Sequence, residues 1–169
     1  MNTDGYDVTL SPSIRRVGAS LRMISDGDIA AAMAPSYPDS GIDLYVGIGG
    51  SPEAVLAAAG IKCLGGDMQC MMWPRDENER VQLIADGHEE DLNRVFFADD
   101  LANGNNIIFC ATGISDSALL RGVKSQGPNT ITHSVLMRAK SKTVRFIRAR
   151  HNLQTKTIRL RSDNREHLI

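Results

Sequence analysis

The stretch that decides the fold is Tyr45-Val46-Gly47-Ile48-Gly49-Gly50-Ser51-Pro52-Glu53, which joins an apolar segment to the start of a helix. The apolar run at residues 42–46 predicts a strand, and the pattern over residues 51–61 predicts a helix. The glycines between them allow a sharp turn and close approach of the backbone to a ligand. Ser51 is a good helix N-cap, and Pro52 suits the first helical position. The sequence therefore places a helix N-terminus directly after a strand.

A similar strand, turn and helix precede this stretch. The apolar run at residues 20–25 predicts a buried strand, Asp26-Gly27-Asp28 follows as a turn, and an alanine-rich helix begins at Ile29 and ends at Pro35. Two consecutive steps of this kind are typical of a parallel α/β layer, in which ligands bind beyond the carboxyl ends of the strands. Both turns are therefore expected at one edge of the sheet.

Downstream of the second helix, short apolar runs alternate with polar helical segments. The last two predicted strands, at residues 130–139 and 142–151, are separated only by a short polar turn at Lys140-Ser141, so they predict an antiparallel hairpin at the sheet edge. The expected sheet is therefore mixed, within an α/β fold. The other downstream elements are predicted as an extended stretch at 66–73, helices at 76–85 and 114–120, and a strand at 106–111.

Length and composition describe an ordinary globular protein. The chain has 169 residues, of which 42% are hydrophobic and 23% charged, and its net charge is -1. One domain with one core is expected. The sequence has no apolar run near the roughly 20 residues that cross a bilayer, and its first residues do not have the pattern of a signal peptide. We therefore expect a cytoplasmic protein without membrane contact.

The cysteines and the basic residues do not indicate a zinc site or nucleic-acid binding. Cys63, Cys70 and Cys110 lack both the Cys-x-x-Cys spacing and a neighbouring histidine, so they are expected to be reduced core residues. Arginine and lysine dominate residues 138–165, where they alternate with β-branched and aromatic residues in a strand pattern without a base-stacking motif. A solvated strand face or a subunit contact is expected there.

The start of the second helix has the chemistry of a phosphate and metal site. A helix N-terminus offers unpaired backbone N–H groups and about half a positive charge, which can hold a phosphate. Glu53 is placed where a divalent cation could be coordinated. Alternatively, Glu53 is only a favourable acid in the first helical turn, worth about 0.3 to 1 kcal/mol. A dinucleotide site is disfavoured, because Pro52 occupies the third glycine position of the Gly-x-Gly-x-x-Gly pattern.

The turn Asp26-Gly27-Asp28 carries a pair of acids. Their carboxylates could accept hydrogen bonds from sugar hydroxyls or approach a metal through water, whereas Asp28 could instead be only the N-cap of the helix from Ile29. The turns at residues 65–68 and 111–114 either shape the same cleft or are purely structural. No serine occupies a Gly-x-Ser-x-Gly elbow, so covalent acyl chemistry is not indicated.

Several segments together resemble the class II fructose-1,6-bisphosphatases of bacteria and cyanobacteria, both in their order and in their spacing. The resemblance extends from about residue 14 to residue 147 and includes the segment KSKTVR at 140–145. The segments that carry it are ISDGDIAAA at 24–32, GIGGSPE at 47–53, LGGDM at 64–68 and IFCATGI at 108–114.

This resemblance implies hydrolysis of the 1-phosphate of fructose 1,6-bisphosphate with Mg²⁺ or Mn²⁺, in gluconeogenesis or the Calvin cycle. Some members of the family also accept sedoheptulose 1,7-bisphosphate. The implied fold is the layered α/β/α fold of the lithium-sensitive sugar phosphatases. By matching motif, Glu53 corresponds to the metal-binding glutamate of the family, Gly50 to a substrate-contacting glycine, and Asp26-Gly27-Asp28 to the sugar-binding turn.

The resemblance also implies that much of the catalytic site lies outside this sequence. Family members are longer, and their amino-terminal half carries the remaining metal carboxylates and the residues that activate water. Residues 20–152 are therefore expected to be the C-terminal domain of a sugar bisphosphatase, between a divergent segment 1–19 and a polar tail 153–169. We expect this chain to be inactive alone and to work as a homo-oligomer or with a complementing N-terminal half. The alternative is a catalytically dead module for phosphosugar binding or oligomerisation.

Overall fold

The computed structural model describes residues 12–155. It also describes the backbone of two further strands, Arg159–Ser162 and Arg165–Leu168. The segment 1–19 and the tail 153–169 thus lie partly outside the described residues. The helices are α1 (Asp28–Met33), α2 (Ser51–Leu64), α3 (Glu77–Ala85) and α4 (Ala98–Leu101), with 3₁₀ turns at Ala34–Ser36, Pro38–Ser40 and Glu90–Asn93. The strands are β1 (Gln69–Cys70), β2 (Phe96–Phe97), β3 (Ile108–Thr112), β4 (Lys124–Gln126), β5 (Asn129–Arg138), β6 (Thr143–Asn152), β7 (Arg159–Ser162) and β8 (Arg165–Leu168).

An antiparallel sheet of four strands holds the described structure together. Its central strand is β5, which pairs with β6 along its full length of ten residues. On its other side, β5 pairs with β3 toward its carboxyl end and with β4 toward its amino end. The predicted hairpin of two long strands is therefore confirmed. Two small antiparallel pairs, β1 with β2 and β7 with β8, are separate from this sheet.

The core lies between one face of this sheet and the second half of α2. Val135 and Met137 of β5 are fully buried there together with Cys63 of α2. Met33 at the end of α1 joins the same cluster and packs onto Gly60, where a Cβ would lie 2.5 Å from Met33 Sδ. Burying side chains of this size contributes about 1.5 to 3 kcal/mol each. The second half of α2 is therefore the part that fixes the helix to the sheet.

The strands predicted at residues 20–25 and 42–46 are wrong, because neither segment is a strand in the structure. Residues 20–26 and 43–49 make no backbone hydrogen bond to any described residue. Every strand pair within the described ranges is antiparallel, so the expected parallel layer and the mixed sheet are not found there. An apolar pattern shows that a segment suits a sheet, but not that a neighbouring strand is available. The α/β class itself is confirmed.

The helix predicted at residues 114–120 is also wrong, because side chains hold this stretch in a tight loop. Asp116 Oδ1 accepts a hydrogen bond from the Gly122 N–H at 2.9 Å, and Ser117 Oγ accepts one from the Leu120 N–H at 3.0 Å. Such bonds compete with those of a helix. Within the stretch predicted as extended at 66–73, only β1 is a strand. The helices predicted at 29–34, 51–61 and 76–85 and the strand at 106–111 are confirmed with small shifts at their ends.

The face of the sheet opposite α2 is exposed. Cys110 of β3 lies on this face, opposite Leu136, so its predicted core position is wrong, while Cys63 is buried as expected. The arginines of β6 are exposed on both faces of the strand, Arg145 on this face and Arg148 and Arg150 on the other, which fits either a solvated strand or a subunit contact. Within the described part of the chain, no helix is both long and apolar enough to cross a membrane.

Candidate functional site

The glycine loop, which is the segment GIGG at residues 47–50, and the start of α2 form the first part of the candidate site. Gly50 is the N-cap of α2 and Ser51 is its first residue, so the predicted serine cap is wrong. Glu53 lies in the first turn, and its carboxylate folds back over the N-cap, because a Cβ at residue 50 would collide with Glu53 Oε2. Glycine at residue 50 leaves room for the carboxylate in this position. The carboxylate of Glu53 and the glycine backbone therefore border the same small space.

The acidic turn before α1 forms the second part of the site. Gly27 is the N-cap of α1 and has a φ of 78°, a region that favours glycine. Asp28 is the first residue of α1 and does not cap the helix, so its alternative role as N-cap is wrong. Asp28 Oδ2 lies 4.0 Å from the position of a Cβ on Gly49. The acidic turn and the glycine loop thus lie next to each other as expected, although the two strands that were predicted to precede them are not present. Asp26 is exposed in the bend before Gly27.

Helices α1 and α2 lie side by side and begin at the same end of the molecule. The start of α1 reaches the glycine loop through Asp28, and the end of α1 reaches Gly60, about three turns further along α2, through Met33. The loop therefore lies where α2 has its unpaired N–H groups and the positive end of its dipole. This arrangement favours an anion at the loop.

Tyr45 belongs to the same site, and sequence reasoning missed it. Its half-buried ring lies against Gly47, because a Cβ at residue 47 would collide with the Tyr45 hydroxyl. Burial raises the pKa of Tyr45 above its ordinary value of 10.0, and the negative charge of Asp28 raises it further. The phenol is therefore protonated at neutral pH and able to donate a hydrogen bond. The available signal was the two-residue spacing of Tyr45 and Gly47, which puts both on one side of an extended backbone.

The carboxylates at this site supply only part of a metal-binding set. Asp28 and Glu53 offer the oxygen ligands that Mg²⁺ and Mn²⁺ prefer, beside Gly49 and Gly50 respectively. Mg²⁺ keeps most of its waters unless several ligands converge on it. Across the described ranges, no three His, Cys, Asp or Glu side chains are grouped so that they could hold an ion. The described residues thus fit a partial site that needs further ligands.

A second polar cluster, about 20 Å away at the other end of α2, has a structural explanation. The buried ammonium of Lys62 pairs with Asp99 at 2.5 Å and donates to the carbonyl oxygens of Ala102 and Gly104 at 2.6 and 3.0 Å. Lys142 donates to the Lys62 carbonyl at 2.5 Å. These contacts satisfy carbonyl groups after α4 and at the end of α2. The turn at residues 65–68 borders this cluster, and not the glycine loop.

The sequence matches a known family and several curated proteins. The family model for bacterial fructose-1,6-bisphosphatase, glpX-encoded, matches residues 8–151. A fructose-1,6-bisphosphatase class 2 of Haemophilus influenzae is 39% identical over 153 residues, which are 83% of this chain and 45% of that protein. A D-fructose 1,6-bisphosphatase class 2/sedoheptulose 1,7-bisphosphatase of Synechococcus sp. (strain JA-3-3Ab) is 36% identical over 156 residues, 85% of this chain and 45% of that protein.

The extent of these matches defines what the chain has in common with the family. The matched residues include both the acidic turn before α1 and the glycine loop before α2. The chain spans about half the length of the curated relatives that it matches. Because the family model covers most of the sequence and includes the residues of the candidate site, the chain belongs to the bacterial, glpX-encoded fructose-1,6-bisphosphatase family.

Proposed function

We propose that this chain supplies one wall of the active site of a metal-dependent fructose-1,6-bisphosphatase. The observation that supports this best is the convergence of Asp28 and Glu53 on the adjacent glycines of the loop before α2. In this proposal Glu53 is a metal ligand, Gly50 contacts the substrate, and Asp26-Gly27-Asp28 binds the sugar. The reaction is hydrolysis of the 1-phosphate of fructose 1,6-bisphosphate with Mg²⁺ or Mn²⁺.

The residues of this wall have distinct tasks in the reaction. The N–H groups at the start of α2 and the helix dipole stabilise a phosphate, and glycine at residues 49 and 50 lets its oxygens approach the backbone. The carboxylates of Asp26 and Asp28 accept hydrogen bonds from sugar hydroxyls, and the Tyr45 phenol donates one. When bound, a divalent ion stabilises charge on the phosphoryl oxygens and lowers the pKa of a coordinated water.

Hydrolysis also needs carboxylates that the described residues do not group at this site. We therefore propose that the chain is inactive alone and acts with a polypeptide equivalent to the rest of its longer relatives. The completed protein would have the layered α/β/α fold of the lithium-sensitive sugar phosphatases, with residues 20–152 as its C-terminal domain. The competing function is a module that binds sugar phosphates without catalysis, which the same incomplete carboxylate set favours.

The test is release of phosphate from fructose 1,6-bisphosphate in the presence of Mn²⁺. This chain is assayed alone and after co-expression with the portion of the Haemophilus influenzae relative that lies outside the match. We expect background release by the chain alone and turnover by the co-expressed pair. Turnover by the chain alone would contradict the incomplete site, and sugar-phosphate binding by a pair without turnover would favour the binding module.

Two matched variants distinguish a metal ligand from an acid that merely starts a helix. Glu53 lies in the first turn of α2, and Glu77 lies in the first turn of α3. Glu53→Gln in the co-expressed pair is expected to abolish turnover, because a metal ligand is lost. Glu77→Gln loses a favourable interaction with a helix dipole and an exposed ion pair with Arg80, both remote from the site, and is expected to leave turnover unchanged. Equal turnover by the two variants would reject Glu53 as the ligand.

A further inference from the structure

Two segments without strand partners lead directly into the candidate site. They are residues 20–26, which precede α1, and residues 43–49, which precede α2. Neither segment makes a backbone hydrogen bond to another described residue. A run of exposed, unpaired N–H and C=O groups is a template on which another chain can add a strand. Because both segments lie beside the acidic turn and the glycine loop, a polypeptide that paired with this backbone would also contact the candidate site.

The side chains of the second segment indicate which part of it a partner would cover. Leu44, Val46 and Ile48 are 75%, 50% and 41% exposed. In a strand these alternate residues would lie on one face, whereas Tyr45 and Gly47, which already contact each other, would lie on the other. Grouped, exposed apolar side chains mark interaction sites. The first segment ends in a similar way, with Met23 and Ile24 exposed.

We propose that residues 43–49 pair as a β-strand with a second polypeptide, which is the part of the family's sequence that lies outside the match with the longer relatives. This inference rests on the proposed function. The segment ends at the loop that borders Asp28 and Glu53. Strand pairing along it would therefore bring residues of the partner next to the partial metal site. The same contact would cover the apolar side chains and supply the missing ligands.

Charge and length favour this partner over a second copy of the chain. Residues 20–28 and 42–53 contain a single cation, Arg22, and four carboxylates, which are Asp26, Asp28, Asp43 and Glu53. Two copies paired along this edge would bring these carboxylates together and repel each other. The matched relatives, by contrast, have more than half of their length outside the match, which is enough for a separate domain.

Amide hydrogen exchange tests the pairing directly. The chain is measured alone and after co-purification with the portion of the Haemophilus influenzae class 2 fructose-1,6-bisphosphatase that lies outside the match. In the chain alone, the amides of residues 43–49 should exchange like those of an unstructured peptide. In the complex, alternate amides should exchange about tenfold more slowly, which is the effect expected of one net hydrogen bond. A stable complex in which these amides stay unprotected would overturn the proposal, as would the absence of any complex.

A matched pair of variants locates the contact. Leu44→Asp places a charge among the exposed apolar side chains that the partner would cover, and it should weaken the complex about tenfold or more. Val81→Asp changes a side chain that is 56% exposed on α3, outside both segments, and it should leave the complex unchanged. Both side chains are exposed, so both variants should keep the circular dichroism spectrum of the parent chain. Equal effects of the two variants would overturn the proposal.

The outcomes for docking and for catalysis are separable. Protection of residues 43–49 in a complex that releases no phosphate supports the docking and contradicts the proposed function. Phosphate release without protection of these residues supports the function and overturns the docking. Protection that develops with rising concentration of this chain alone, without the second polypeptide, identifies a second copy as the partner and overturns the inference.

Discussion

The β5–β6 hairpin and the unpaired segment at residues 43–49 both have sequence patterns suited to a strand, but only the hairpin forms strands in the structure. The two hairpin strands are neighbours in the chain and pair completely. The unpaired segment makes no backbone hydrogen bond in the described structure. Met137 of β5 is fully buried, whereas Leu44 is 75% exposed. The contrast teaches that this chain stabilises its sheet by itself, while the backbone that leads into the candidate site has no strand partner among the described residues.

The largest expected effect is a difference in stability between variants of a buried hairpin residue and of an exposed residue in the unpaired segment. Met137→Ala should lower the free energy of unfolding by about 2 to 5 kcal/mol, because it leaves a cavity between β5 and α2. Leu44→Ala should change it by less than about 0.5 kcal/mol, because the side chain has little contact to lose. Urea unfolding followed by circular dichroism measures both values. Similar losses for the two variants would show that residues 43–49 are packed in solution and would remove the contrast.

A smaller effect is expected from two glycines, one in each region. A Cβ at Gly113, which follows β3, would collide with the backbone oxygen of Arg121, and main chain cannot move aside as a flexible side chain does. Gly113→Ala should therefore cost about 1 to 3 kcal/mol. A Cβ at Gly49 would find its nearest neighbour, Asp28 Oδ2, at 4.0 Å. Gly49→Ala should be neutral or stabilise by up to about 1 kcal/mol, since it restricts the unfolded chain.

Thermal and urea unfolding of both glycine variants decide this prediction. A strong destabilisation by Gly49→Ala would mean that the loop is more tightly enclosed than the contacts of Gly49 show. An unchanged stability of Gly113→Ala would mean that the turn after β3 opens without cost, and that the sheet is less rigid at this end than its pairing suggests.

Sequence patterns predicted the elements that depend on local signals. Helix α2, the glycine turn before it and the β5–β6 hairpin were all predicted from the sequence, because turn chemistry and hydrophobic periodicity act within a few residues. The strand at residues 42–46 failed because pairing is a non-local property, and the helix at 114–120 failed because Asp116 and Ser117 bind nearby backbone instead. Asp28 and Glu53 were singled out from their turns. Tyr45 was missed, because its role depends on its approach to Asp28 in space.

Helix α3 lies outside both regions and buries none of its residues, so local contacts must hold it. Asp76 accepts a hydrogen bond from the Glu79 N–H at 2.8 Å and caps the helix. Asp76→Ala should cost about 1 kcal/mol. Glu77→Ala, one residue further, should cost only about a few tenths of a kcal/mol, because it removes an interaction with the helix dipole and an exposed ion pair with Arg80. Amide exchange within α3 reports the difference, and equal exchange in both variants would contradict the role of the cap.

The smallest effect concerns the pKa of Tyr45, and it tests whether the acidic turn and the glycine loop meet. Burial is the larger cause of the raised pKa and the charge of Asp28 is the smaller one. Asp28→Asn should therefore lower the pKa while leaving it above 10.0. Absorbance titration of the phenolate measures it in a chain whose other tyrosines, Tyr6 and Tyr37, are replaced by phenylalanine.

Asp86→Asn is the matched control for this titration, because Asp86 is exposed at the end of α3 and should leave the pKa of Tyr45 unchanged. The decisive result is the difference between the two asparagine variants. Equal pKa values would show that Asp28 does not approach Tyr45 in solution, so the acidic turn and the glycine loop would lie apart. A lower pKa of Tyr45 in Asp28→Asn alone would show that the acidic turn and the glycine loop already lie together in the chain without a partner or a metal. The proposed partner and metal would then bind to a preformed part of the site.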